Sequence, residues 1–262
     1  MRNSFISKRY YHAEKSYALF DYDIILIAGQ SNAQGYGKGY EQFKYIPHDP
    51  IYGYTQGVGF HPACDGRYNH NDCAASFALY FGQEYCDAGM LKDGRKLLLL
   101  NTAVGGTGFS DNRWGENNDL YIRMLALAKK ILALNSKNRI TAFLWHQGET
   151  DALNHMSGSE YSDKLRFLIT DARRILKIEN IPFISGNMVP VWMTANPASY
   201  QIARAASELM RDMPLCGFVQ SDGLIGNATP DIIHFFRKSC VELGKRYFEA
   251  YKKLSEASRI GF

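Results

Sequence analysis

Five short segments of the chain are almost continuously hydrophobic. They are residues 23–29, 96–101, 140–146, 182–188 and 215–220. None of them alternates between apolar and polar residues, so we expect both faces of each segment to be covered by other parts of the protein. That pattern is typical of buried strands in a parallel sheet.

Longer segments with hydrophobic residues at helical spacing separate or follow these strands. We predict helices over residues 74–88, 120–134, 159–178, 197–210 and 239–257. Strands that alternate with helices form βαβ units, so the pattern predicts an α/β fold, a three-layer sandwich with a parallel five-stranded sheet. Ligands bind beyond the carboxyl ends of the strands in such sheets, so the residues after each strand are the candidates for chemistry.

Composition narrows the range of functions. The 262 residues, 46% of them hydrophobic, predict one domain over residues 1–262, with residues 1–21 as an N-terminal extension. The net charge is only +4, and Lys and Arg never form a run longer than two, which argues against nucleic acid as a partner. No apolar segment approaches the roughly 20 residues of a membrane span, so we expect no membrane partner.

The first 21 residues lack the apolar core of a secretory signal. We therefore expect a cytoplasmic protein, with release by a route that needs no signal as the alternative. The five cysteines are odd in number and irregularly spaced. This favours reduced thiols over a disulfide framework, and the oligomeric state stays open.

Ser31 lies just beyond the first predicted strand, in the segment Gly-Gln-Ser-Asn-Ala-Gln-Gly. A sharp turn between Gly29 and Gly35 would expose the Ser31 hydroxyl and aim backbone N–H groups at whatever it attacks. The alternative is a serine that caps the N-terminus of a helix, which is common after strands.

Groups that suit an oxyanion follow the second and third predicted strands. Gly106 belongs to a glycine pair whose backbone can approach a ligand closely, although a plain flexible loop is the alternative. Gln147 can donate from its side-chain amide, and Glu149 and Asp151 can hold that loop in place. The alternative for these three is that they cap the next helix.

Asp231 precedes His234 by three residues, just before the last predicted helix. At this offset a carboxylate can fix the imidazole tautomer and stabilise the imidazolium, leaving the other nitrogen for Ser31. A single histidine is more often a structural residue, but Asp231 and a loop within reach of the sheet edge favour a role for His234. Nucleophile, base, orienting acid and oxyanion donors are then all present.

Four segments resemble the conserved blocks of the SGNH hydrolase superfamily. Within it they resemble the sialate O-acetylesterase and acetylxylan esterase branch, which is carbohydrate esterase family 6. The segments are GQSNAQG, GGTGFSDNRW, WHQGETDA and DIIHFFRKSCVELGKRY. The resemblance extends from residue 23 to about residue 247 and implies a flavodoxin-like fold that hydrolyses acetyl esters on sugars, with no metal or other cofactor.

The resemblance also implies roles for individual residues. Ser31 would attack the acetyl carbonyl, His234 would serve as base and then as acid, and Asp231 would orient His234. The oxyanion hole would consist of the N–H groups of Ser31 and Gly106 with the side chain of Gln147.

Four further residues are expected to support this site. Two of them flank Ser31 and two follow Gln147, and they are Gln30, Asn32, Glu149 and Asp151.

Two segments depart from the compact form of the family. Asp222 lies in a segment similar to the compact D-G-x-H form of many members, but an insertion over residues 225–230 separates it from His234. Asp222 is therefore a rival to Asp231 as the orienting acid, and the spacing favours Asp231. Residues 61–73 hold two H-x-x-C pairs, His61 with Cys64 and His70 with Cys73. That spacing could bind zinc, but the intervening stretch is short, so we favour an irregular loop without a metal.

We therefore predict a serine carbohydrate esterase that hydrolyses O-acetyl esters on a sugar through an acetyl-enzyme. The main alternative is an O-acetyltransferase, which would use the same site with a glycan acceptor in place of water. A carbohydrate-binding module ranks third. It would rely on aromatic residues such as Tyr36, Trp114 and Trp192 stacking on sugar rings, but has no need of a complete Ser–His–Asp set.

Overall fold

A computed structural model describes residues 17, 19–39, 45–46, 49–55, 59–65 and 74–260 of the chain, with only the backbone for residues 258–260. The central feature is a seven-stranded sheet with the strand order β3-β2-β4-β1-β5-β6-β7. The strands are β1 (Asp21–Gly29), β2 (Ile51–Thr55), β3 (Gly59–Pro62), β4 (Arg95–Asn101), β5 (Arg139–His146), β6 (Phe183–Gly186) and β7 (Cys216–Val219).

The five predicted strands are confirmed as β1, β4, β5, β6 and β7, and they pair in parallel. The prediction of five strands in total was wrong, because β2 pairs in parallel with β4 and β3 pairs antiparallel with β2. These two strands are short and contain glycine, so they lack a long hydrophobic run. Gly53 in β2 lies opposite His61 in β3, where a side chain at position 53 would collide with the imidazole.

Helices connect the strands, as the alternating pattern predicts. They are α1 (Ser31–Gln34), α2 (Phe77–Asp87), α3 (Asp119–Leu134), α4 (Glu149–Leu153), α5 (Gly158–Leu176), α6 (Pro190–Ala195), α7 (Ser199–Asp212) and α8 (Arg237–Ile260). α2 packs against α8, while α5 packs against α3 and α7. The sheet is thus flanked by two groups of helices, which confirms the predicted fold class.

The amino end of the sheet is held by a buried carboxylate. Asp23 in β1 is fully buried and receives hydrogen bonds from Arg95 in β4 (Nε to Oδ1, 2.8 Å) and Arg139 in β5 (Nε to Oδ1, 2.6 Å). The Tyr85 hydroxyl of α2 donates to its second oxygen at 3.1 Å. A buried charge needs such partners to offset its desolvation, so this cluster fixes three strands and one helix at the end of the sheet away from Ser31.

Across the described residues, no helix combines the length and the hydrophobicity that crossing a membrane requires.

Candidate active site

The chain turns sharply where β1 ends. Gly29 has φ +121°, and a side chain there would collide with the backbone oxygen of His146 in β5. Gln30 is the N-cap residue of α1 and Ser31 is its first helical residue, so the alternative in which Ser31 caps the helix was wrong. Ser31 is 5% exposed. Within the described part of the chain, neither its hydroxyl nor its backbone N–H has a hydrogen-bond partner, which leaves both available to a ligand.

Asn32 joins the Ser31 turn to the segment that carries His234. Its Nδ2 donates to the backbone oxygen of Ile233 at 3.0 Å, and its Oδ1 accepts from the backbone N–H of Phe235 at 3.0 Å. Asn32 therefore holds the residues on both sides of His234 and follows Ser31 directly in the chain. One side chain thereby links the segment of Ser31 to the segment of His234.

His234 and Asp231 form the contact that the spacing predicts. Nδ1 of His234 meets Oδ1 of Asp231 in a short hydrogen bond, and the ring of Tyr36 stacks on the imidazole with 4.7 Å between centroids. Burial raises the pKa of the Asp231 carboxyl, but hydrogen bonds from Lys38, His234 and Asn227 outweigh it and hold the pKa below its ordinary value. With Nδ1 engaged, Nε2 is the nitrogen left to exchange a proton with Ser31.

Asp222, the rival acid, lies elsewhere. It is exposed, and its backbone oxygen accepts a hydrogen bond from Arg246 at 3.0 Å. In the described structure its carboxylate makes no hydrogen bond to His234, so the geometry favours Asp231.

The glycine loop after β4 lies against the Ser31 turn. The N–H of Gly105 donates to Oε1 of Gln34 at 2.8 Å, and a side chain added to Gly105 would lie 3.5 Å from Cβ of Ser31. Gly106 is exposed with φ +69°. Its N–H has no acceptor among the residues described, so it can donate to a ligand at Ser31.

Asp151 fixes this loop from below. It is fully buried, and its two oxygens accept from the backbone N–H groups of Phe109 (3.1 Å) and Ser110 (2.7 Å). Gln147 donates from Nε2 to the same carboxylate at 2.8 Å. A carboxylate that accepts several hydrogen bonds can be buried without a cation, and here it orients the loop that carries Gly106.

Gln147 is more heavily engaged than an oxyanion donor needs to be. Besides Asp151, its Nε2 lies 3.3 Å from Oε1 of Gln30 and 3.4 Å from the backbone oxygen of Thr107. Its two N–H groups thus face three acceptors. To donate to an oxyanion, Gln147 would have to release one of the two longer contacts, while the contact with Asp151 keeps the amide in place.

Two hydrogen bonds connect the turn around Ser31 to α4, one through Glu149 and one through Gln30. Oε1 of Glu149 accepts from Nδ2 of Asn32 at 2.6 Å, and burial raises the pKa of this carboxyl to about 7. Oε1 of Gln30 accepts from the backbone N–H of Thr150 at 3.1 Å. The four predicted supporting residues therefore all contact the turn or the loops around it.

Sequence reasoning missed three contacts of the site and one support. Lys38 and Asn227 both donate to Asp231, and Tyr36, named above only as a sugar contact of the binding-module alternative, stacks on His234. His146 is fully buried beneath the turn, and burial lowers its pKa to about 3. No spacing rule relates these residues to Ser31, so only the folded arrangement identifies them.

His146 is held as a neutral imidazole by α8. The hydroxyl of Tyr247 donates to the backbone oxygen of Trp145 at 2.9 Å and lies 2.9 Å from Nδ1 of His146. Because a phenol has one hydrogen, the hydroxyl must accept the second contact from an Nδ1–H group. This histidine therefore packs beneath the turn as a structural residue.

Most of the other candidate residues are buried, and two lie outside the described residues. Trp114 and Trp192, predicted as possible sugar contacts, are buried, which places them in the core. His61 is also buried, and Cys64 is partly exposed. His70 and Cys73 lie outside the described residues, and among those described no group of three metal-binding side chains converges.

A family model described as carbohydrate esterase, sialic acid-specific acetylesterase matches residues 21–253 of the chain. The chain belongs to this family. The predicted resemblance to the sialate O-acetylesterase branch of the SGNH hydrolases is thus confirmed, as is the class of enzyme, a carboxylic ester hydrolase. A probable carbohydrate esterase from Arabidopsis thaliana is 30% identical over 86 residues. The match covers 33% of this chain and 32% of that protein, about a third of its length.

Several solved structures share this fold. The crystal structure of NanS superposes with a TM-score of 0.75 at 18% identity, covering 90% of this chain and 98% of that one. A protein from Arabidopsis thaliana gives 0.72 at 20% identity, covering 89% and 98%. A carbohydrate acetylesterase from Xanthomonas citri gives 0.60 at 16% identity, covering 90% and 57%. At these identities the likeness shows the fold.

Proposed function

We propose that this member of the acetylesterase family is a serine carbohydrate esterase that removes O-acetyl groups from a sugar or glycan through an acetyl-enzyme on Ser31. The observation that carries the proposal is the clamp by Asn32, which ties the Ser31 turn to both neighbours of His234. With the carboxylate of Asp231 at Nδ1 of His234, the site holds a nucleophile, a base and an orienting acid.

In the proposed reaction Oγ of Ser31 attacks the acetyl carbonyl carbon while Nε2 of His234 takes the hydroxyl proton. Asp231 stabilises the resulting imidazolium. The backbone N–H groups of Ser31 and Gly106 hold the negative oxygen of the tetrahedral intermediate, and Gln147 joins them once it releases a longer contact.

The C–O bond to the sugar then breaks, and the imidazolium returns its proton to the leaving sugar oxygen. A water molecule, deprotonated by His234, then attacks the acetyl carbon of the acetyl-enzyme. The bond from that carbon to Oγ of Ser31 breaks, the imidazolium returns its proton to Oγ, and acetate leaves. A sugar hydroxyl in place of that water would give acetyl transfer, so the identity of the acceptor separates the esterase from the O-acetyltransferase.

The test is acetate release from O-acetylated sialic acid and acetylated xylan by the wild type, Ser31→Ala and Ser159→Ala. Because Ser31 would form the covalent bond, its loss should lower kcat by at least about 10³-fold. Ser159 is an exposed serine at the start of α5, and its variant should match the wild type.

Two results would count against the proposal. Equal acetate release by Ser31→Ala and the wild type would remove Ser31 as the nucleophile. Acetyl transfer to added sugar acceptors that exceeds release to water would favour the transferase.

A further inference from the structure

Lys38 is held in place by the segment that carries His234. Its backbone N–H donates to Oδ1 of Asn227 at 2.9 Å, and its backbone oxygen accepts from the N–H of Arg237 at 2.7 Å. The two anchoring residues lie on opposite sides of His234 in the chain. The backbone of Lys38 is therefore fixed relative to Asp231 and His234, although its side chain is half-exposed.

The side chain of Lys38 completes the shell of Asp231. Nζ lies 2.6 Å from Oδ2 of Asp231, and Nδ2 of Asn227 donates to the same oxygen at 3.0 Å. The other oxygen, Oδ1, faces His234. Two donors on Oδ2 leave the carboxylate one orientation in which both oxygens are satisfied, and in that orientation Oδ1 points at the imidazole.

Asn227 adds a second link to the same pair. Its backbone N–H donates to the backbone oxygen of His234 at 2.7 Å, and its side chain donates to the backbone oxygen of Tyr36 at 3.0 Å. Asn227 lies within residues 225–230, the insertion that lengthens this chain between Asp222 and the histidine. This segment thus supplies a hydrogen bond to the carboxylate of Asp231.

We propose that Lys38 is a positioning residue, which together with Asn227 keeps Asp231 ionised and turned toward His234 and sets how readily this pair takes up a proton. The proposal rests on the proposed esterase function, because it assigns a role within the same site. It adds a cation to the Ser–His–Asp set.

An ordinary surface ion pair does not share these features. Lys137 and Asp21 form such a pair at the amino end of the sheet, with 3.2 Å between Nζ and Oδ2 and side chains 72% and 26% exposed. In the Lys38 pair the contact is 2.6 Å and the side chains are 53% and 19% exposed. Exposed pairs contribute little because solvent screens them, and this makes Lys137 a matched control for Lys38.

The groups that face the acid and base determine the direction of the effect. Among the residues described, two groups contact the imidazole of His234. They are Asp231 from the same loop and the Tyr36 ring from the segment after α1. Lys38 contacts Asp231 and so acts on the imidazole through that carboxylate. Glu149 lies one step away, through Asn32. The positive charge of Lys38 disfavours a second positive charge on the nearby imidazole. Without it, the Asp231–His234 pair should therefore keep its proton to higher pH.

The experiment compares Lys38→Met, Lys38→Arg and Lys137→Met with the wild type. One readout is the pH dependence of kcat/KM for p-nitrophenyl acetate. The other is the NMR titration of the His234 imidazole, assigned by its loss in His234→Gln. Lys38→Met should move the acid limb and the titration upward by about 0.5 to 1 pH unit and lower the plateau of kcat/KM about 10-fold. Lys38→Arg should restore most of both, and Lys137→Met should match the wild type.

An unchanged titration and acid limb in Lys38→Met would overturn the proposal and reduce Lys38 to a surface ion pair. Thermal unfolding checks that each variant is folded, and Lys38→Gln replaces Lys38→Met if the latter is not. A wild type without Ser31-dependent hydrolysis would end the proposed function alone. The NMR titration would then still decide whether Lys38 controls the protonation of the pair, since it requires no turnover.

Discussion

At the scale of single residues, two carboxylates precede His234 and only one of them meets it. The chain offers Asp222 and Asp231, and the offset of three residues favours Asp231. In the folded protein Oδ1 of Asp231 contacts Nδ1 of His234, while Asp222 is exposed. Two single substitutions, one at each aspartate, therefore test which of them orients His234.

Asp231→Asn should lower kcat/KM by about 10³-fold or more, because an amide would offer either a poor acceptor or an N–H group to Nδ1 and would favour the wrong tautomer. Asp222→Asn is the matched control and should retain wild-type activity. The measurement is ester hydrolysis by both variants at equal folded concentration. A large loss in Asp222→Asn with little in Asp231→Asn would reverse the assignment.

At the scale of elements, the site depends on the joint between α1 and the segment before α8. Asn32 at the start of α1 makes that joint by accepting one backbone N–H and donating to one backbone oxygen, and it also donates to Glu149. Asn138, just before β5, makes the same two kinds of hydrogen bond. Its Oδ1 accepts from the backbone N–H of Tyr22, and its Nδ2 donates to the backbone oxygen of Ile131. Comparing variants of these two asparagines therefore distinguishes an effect on catalysis from an effect on stability.

Asn32→Asp keeps the acceptor for Phe235 but loses both donations and places a carboxylate beside Glu149. We expect kcat to fall about 10²-fold, since His234 loses its fixed position. Asn138→Asp should cost about 1 to 3 kcal/mol of unfolding free energy while the folded fraction keeps wild-type kcat. Denaturant unfolding and initial rates measure the two effects, and equal losses of kcat in both variants would contradict a special role for Asn32.

At the scale of the whole molecule, folding buries the carboxyl group of Glu149, and burial disfavours its charged form. Glu149 is fully buried, and burial raises its pKa to about 7 from the ordinary 4.5. Between these two values the folded protein retains a proton that the unfolded chain has released. The stability that comes from this proton is fully present below pH 4.5 and is lost as the pH rises through 7.

Glu149→Gln should remove this pH dependence while keeping an oxygen for Asn32. Relative to the variant, the wild type should lose up to about 3 kcal/mol of unfolding free energy between pH 4.5 and pH 8. Urea unfolding across that range measures the difference, with the exposed Glu179→Gln as control. His146 is common to all three proteins and cancels in the comparison. A constant difference between wild type and Glu149→Gln would show that Glu149 is charged throughout.

The sequence by itself determined the parallel strands, the alternation with helices and the family, because long hydrophobic runs and local motifs are properties of neighbouring residues. It also placed Ser31, Asp231 and His234 in segments that the fold brings to one edge of the sheet, and their roles stay predictions until the variants are made. Only the tertiary structure added β2 and β3, whose short segments with glycine carry no strong periodicity. Only the tertiary structure joined Asn32 to the two neighbours of His234 and Lys38 to Asp231, because each contact spans about 200 residues of chain and forms only when the sheet brings its strand ends together.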